Sequence, residues 1–94
     1  MAYLFVRVKV KDYPVWKADF DGRIEMRRAS GERSYQIFHP DDNPNNLLVL
    51  FGWDSLANAR KFMANPELKE AMDEAGVIEA PETYFLKRYD RGKI

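Results

Sequence analysis

The sequence contains no cysteine, which removes disulfides, thiolate nucleophiles and cysteine-ligated zinc or iron–sulfur centres. It has a single histidine, His39, too few for a histidine-rich metal site. Net charge is also missing. Fifteen basic and fifteen acidic side chains cancel, so nothing draws the chain to nucleic acid or to an anionic membrane surface. No apolar run approaches the ~20 residues that span a bilayer, and the first residues lack the basic and apolar regions of a secretion signal. A cytoplasmic protein is the resulting expectation. Repeats, low-complexity tracts and interdomain linkers are absent as well, and the 94 residues are expected to form one domain, 1–94. Aromatic surface is what the chain has in quantity. Two Trp, five Tyr and six Phe supply large contact areas that fill either cores or pockets.

Alternation marks a first strand over residues 3–10, with Leu4, Val6, Val8 and Val10 on one side and Tyr3, Phe5, Arg7 and Lys9 on the other. Asp12 is placed to cap the next helix, and Pro14 suits its first turn, where an amide hydrogen would have no partner. Tyr13, Trp16, Phe20 and Ile24 predict one apolar stripe on a helix ending near Ser30 and Gly31, and Arg27 continues that stripe. Residues 33–38 read as a second strand, and the polar stretch 39–46 reads as a turn by composition.

The third strand, residues 47–53, is an unbroken apolar run, Leu-Leu-Val-Leu-Phe-Gly-Trp, which predicts burial on both faces. Ser55 caps a helix with Leu56, Ala59, Phe62 and Met63 on one side. Asn65 and Pro66 restart it with Leu68, Ala71, Met72 and Ala75 inward and Gly76 as terminator. A linker over 77–82 leads to a last strand over 83–89, followed by a charged tail expected to fray.

The order β-α-β-β-α-β predicts an α+β, ferredoxin-like fold: a four-stranded antiparallel sheet with the helices on one face. The other face is left bare, yet the third strand has no polar side and the first offers Tyr3 and Phe5 there. A homodimer through the sheet face, two sheets packed into a dimeric α/β barrel, closes that surface. Burying about 500 Å² of apolar surface per subunit would contribute on the order of 12 kcal/mol before association costs, at ~25 cal/mol per Å².

Three stretches carry a family likeness: the strand end Trp53-Asp54-Ser55, the restart Asn65-Pro66-Glu67-Leu68-Lys69-Glu70-Ala71-Met72, and the hairpin Asp41-Asp42-Asn43-Pro44-Asn45. Over residues 3–89 the chain resembles the dimeric α/β-barrel superfamily, specifically its antibiotic biosynthesis monooxygenase-like group. The resemblance implies a small-molecule-binding dimer. It also suggests a cofactor-independent monooxygenase of a hydrophobic phenolic or quinol-like substrate, with no cofactor required. In such members the deprotonated substrate supplies its own electrons to O2, and the protein provides a dry pocket, orientation and a proton acceptor. The alternative is a noncatalytic dimeric binding or structural module whose cavity is filled by its own side chains. Haem degradation, found in another branch, is disfavoured: residues 3–10 hold no Asn, and Phe62 and Met72 stand where that branch has Trp and His. Gly52 replaces a Glu that many relatives carry before the strand-end Trp.

The ligand-pocket candidates are Trp16, Phe20, Arg27, His39, Trp53, Phe62, Met72 and Tyr84. Trp16, Phe20, Phe62, Met63 and Met72 are residues that wall an apolar pocket or simply fill a core. Arg27 offers a guanidinium to a carboxylate or enolate, or snorkels from the end of its stripe. His39 titrates near neutrality and is a base if it turns inward, although its turn neighbours favour solvent. Trp53 and Tyr84 carry NH and OH groups able to orient a ligand. Asp41 and Asp42 are adjacent, so their side chains diverge, and no metal site is expected there.

Overall fold

Ladder register decides which side chains can meet. The computed structural model describes residues 2–94. Its elements are β1 (Ala2–Lys9), α1 (Tyr13–Gly22), α2 (Ile24–Ser30), β2 (Glu32–Phe38), β3 (Asn46–Trp53), α3 (Leu56–Met63), α4 (Pro66–Glu74) and β4 (Glu82–Lys87). The strands form one antiparallel sheet ordered β2-β3-β1-β4. The α+β, ferredoxin-like arrangement expected from the sequence is the fold observed, with each helical segment split in two. The apolar β3 takes one of the two central positions, paired on both edges.

Directly paired residues share a face. Val6 opposite Val49 and Leu4 opposite Phe51 belong to the face under the helices, where Leu4, Leu47, Val49 and Trp53 are fully buried. Phe5 belongs to the other face, opposite Leu50 on one side and Tyr84 on the other. There the helices give no cover: Phe38 and Tyr84 are each 50% exposed and Leu86 40%. Within one chain β3 is therefore buried on one face only, with Leu48 and Leu50 half-covered.

Two capping arrangements follow the sequence and one departs from it. The Ser55 side chain accepts from Asn58 N and Asn65 from Glu67 N. Asp12 makes no such bond; Asn45, brought in by the β2–β3 hairpin, accepts from Tyr13 N at 3.0 Å instead. The first helix also breaks at Arg23 (φ −105°, ψ 14°), so the stripe does not run straight through. Trp16 and Phe20 stay buried, whereas Ile24 is 38% exposed, contrary to its expected place.

Gly31 ends α2 with φ 124°, its amide donating to the carbonyls of Arg27 and Arg28. A Cβ there would lie 2.5 Å from Asp54 Oδ1. Gly31→Ala therefore meets both a disfavoured backbone and a collision. It is expected to lower stability by about 1–3 kcal/mol, read by urea denaturation. An unchanged midpoint would show that the junction relaxes freely.

Candidate functional site

Between the helices and the sheet lies a cavity of about 100 Å³. Trp16, Phe20, Trp53, Phe62, Met63 and Met72 help to line it, so six residues singled out in the sequence come together there. Helical spacing puts Trp16 over Phe20, stacked at 4.7 Å between ring centres. Trp53 ends β3 fully buried and packs against Phe62 at 5.2 Å. Met63, Leu68, Met72 and Val77 also wall an adjoining wider groove of about 410 Å³ along the segment 77–83. Unbranched thioethers make an adaptable partition between the two spaces.

Arg27 is a lining residue too, and it is buried rather than snorkelling, with only 4% of its surface exposed. Its guanidinium carbon sits 3.6 Å from the centre of the Phe20 ring, and Nη1 donates to the Phe20 carbonyl. Nε donates to Glu32 Oε1 at 2.9 Å. Glu32 is likewise buried and lines the same cavity.

Glu32 reaches that position through an irregularity in β2. Ser34 pairs with Gly52 on the open face, and simple alternation would send Glu32 there as well. Instead the register shifts between Glu32 and Ser34, leaving Arg33 as the extra residue, and Glu32 pairs with Trp53 on the helix face. Burial pushes the Glu32 carboxyl above its usual 4.5, against the opposing pull of the Arg27 charge and hydrogen bond. The folded protein thus holds this proton more tightly than the unfolded chain. Glu32's contribution to stability is greatest below pH 4.5 and is lost as the pH rises through its folded pKa.

Two buried donors on the cavity lining have no partner among the described residues: Arg27 Nη2 and Trp53 Nε1. An unmatched buried donor is costly, which gives both a reason to hold an oxygen atom of a ligand. The site is a largely apolar chamber with two free N–H groups and two carboxylates, Glu32 and Asp19.

Two sequence candidates lie elsewhere. His39 is exposed at the β2–β3 hairpin, with Nδ1 2.7 Å from the Pro40 carbonyl. Tyr84 stands on the open sheet face, its hydroxyl donating to Glu82 Oε2 at 3.3 Å. Glu32, by contrast, was not singled out from the sequence. The available signal was Arg27 itself, since a guanidinium on an inward stripe requires a carboxylate within reach. No group of three or more His, Cys, Asp or Glu able to hold a metal occurs among the described residues. No helix among them is long and apolar enough to cross a membrane.

The family model described as antibiotic biosynthesis monooxygenase matches residues 5–74. A search of curated proteins found no match. Among solved structures, the chain is similar to SnoaB, a cofactor-independent oxygenase from Streptomyces nogalater, with a TM-score of 0.71 and 14% identity, over 96% of this chain and 94% of that one. It is similar to a conserved protein from Methanosarcina mazei Go1, with a TM-score of 0.67 and 18% identity, over 94% and 93% of the two chains. A protein of unknown function from Nitrosomonas europaea shares the fold at a TM-score of 0.70 and 12% identity, over 99% and 93%. At these identities the likeness is one of fold.

Proposed function

The chain belongs to the antibiotic biosynthesis monooxygenase family, and from that premise we propose that its cavity binds a small phenolic or quinol-like molecule and oxidises it with O2 without a cofactor. The observation that carries this reading is the pair of unmatched donors, Arg27 Nη2 and Trp53 Nε1, on the lining of an otherwise apolar chamber. Oriented N–H groups in a dry site stabilise negative charge developing on a ligand oxygen. An electron-rich ring that has lost its phenolic proton gives its own electrons to O2. A quinol and O2 then yield a hydroxyquinone and water: one oxygen atom joins the ring, and the other leaves with two hydrogens. SnoaB, described as a cofactor-independent oxygenase, supports this reading through its shared fold.

The assembly belongs to the same proposal. Tyr3, Phe5, Leu50, Phe38, Tyr84 and Leu86 form an apolar surface on the open sheet face, and a second copy packed sheet to sheet covers it.

Oxygen uptake with a naphthohydroquinone tests the function. The protein is expected to raise uptake above the quinol's own autoxidation rate, and Trp53→Phe, which removes one donor and keeps an aromatic ring, is expected to lower that excess about 10- to 100-fold. A second reading, a noncatalytic binding or structural module, is favoured by one observation, the cavity volume of about 100 Å³. Ligand pockets run to roughly 300–1,000 Å³, so a quinol must push the methionine partition toward the outer groove. No oxygen uptake and no thermal shift from a phenolic library would decide for that second reading.

A further inference from the structure

We infer that Glu32 is the proton acceptor for a ligand hydroxyl, and that Arg27 exchanges its carboxylate partner for the ligand oxyanion so formed. The inference deepens the phenolic reading above and stands apart from whether oxygen is consumed.

The geometry narrows the choice. Glu32 and Asp19 are the two carboxylates on the cavity lining. Both Asp19 oxygens are engaged by Arg23, at 2.9 and 3.3 Å. Glu32 is 7% exposed and accepts from Arg27 through Oε1, while its other oxygen takes no hydrogen bond from the described residues. Residue pairing in the β2–β3 ladder sets Glu32 beside Trp53 on the helix face. A carboxylate with one oxygen free to take a proton is therefore carried by the residue paired with Trp53, whose indole N–H is free to donate.

Charge balance makes the transfer physically reasonable. A neutral phenol entering the resting site meets a guanidinium cation and a carboxylate anion held 2.9 Å apart. The ligand O–H bond breaks, its electron pair stays on the ligand oxygen, and a new O–H bond forms on Glu32. Arg27 still faces one negative charge, now on the ligand, and the chamber carries no more net charge than before. Moving an ion into a low-dielectric interior is costly; relocating one already there is far less so. Burial also favours the protonated carboxyl. The other charged groups on the lining, Asp19 and Arg23, already satisfy each other.

Para-nitrophenol tests this without oxygen chemistry, because its phenolate is yellow and its phenol is not. Wild-type protein and Glu32→Gln are titrated with it in weakly buffered solution, at a pH where the free probe is mainly colourless. Colour and released protons are recorded together. For the wild type, the yellow band is expected to grow with binding while no proton reaches the solvent. Glu32→Gln keeps the side chain's shape but cannot accept, so each yellow ligand is expected to release about one proton. Release of a proton by the wild type would overturn the assignment, as would a bound probe that stays colourless or no binding at all. Should Glu32→Gln fail to fold by circular dichroism, the wild-type proton count alone still decides. A yellow, proton-neutral complex in a protein that never consumes oxygen would uphold Glu32 and sink the oxygenase reading.

Discussion

Glu32→Leu is expected to lower the unfolding free energy by about 3–5 kcal/mol, the cost typical of stranding one member of a buried ion pair. Arg27 has no route to solvent in this fold, with 4% of its surface exposed, and leucine would leave Nε as well as Nη2 without an acceptor. The loss arises from the guanidinium left behind rather than from the bond itself. Arg27→Met combined with Glu32→Leu should therefore recover most of the stability, because two apolar groups need no partners in this setting. Urea denaturation of the wild type, both single variants and the double variant closes the cycle. Glu32 also binds its proton more tightly in the folded state, so the single variant's deficit should be largest at acid pH and shrink as pH rises through the folded pKa. A single variant within about 0.5 kcal/mol of the wild type would mean that water reaches Arg27.

Charge placed on the two faces of the sheet should give opposite outcomes. Phe5 and Val49 lie on neighbouring strands, but Phe5 faces outward and Val49 is 1% exposed beneath the helices. Phe5→Asp should leave a folded chain that sediments as a single 11.0 kDa particle. In the proposed dimer, dissociation follows because the carboxylate would have to lose its water against an apolar partner sheet. Val49→Asp should not fold at all, since an isolated buried carboxylate costs several kcal/mol against a total stability of about 5–15. Circular dichroism reads the second outcome and analytical ultracentrifugation the first. A dimeric Phe5→Asp protein would remove the sheet face from the assembly, and a monomeric wild type would remove the assembly.

Much of this architecture is legible in the residues because local rules and the fold agree. Ser55 and Asn65 cap helices as their chemistry predicts, and β1 alternates as it reads. The misreadings have a common physical origin in long-range or irregular contacts. Asn45 displaces Asp12 as a cap because a hairpin more than thirty residues away delivers its side chain to Tyr13 N. Ile24 turns outward because the helix resets at Arg23, and periodicity cannot be counted across a break. Of the candidate site, the aromatic and thioether walls follow from helical spacing, as does the inward position of Arg27. Chemistry alone marks His39 and Tyr84, and the topology carries one to a hairpin and the other to the uncovered face. Glu32 stayed hidden because the register shift in β2 changes its parity, and a period of two assigns it to the wrong side.

That shift has an evolutionary consequence. Deleting Arg33 would remove the bulge and set Glu32 directly before Ser34, so strict alternation would still hold the acid opposite Trp53 on the helix face. Descendants could therefore lose that one codon and keep the internal acid, whereas losing Ser34 alongside it would turn position 32 outward.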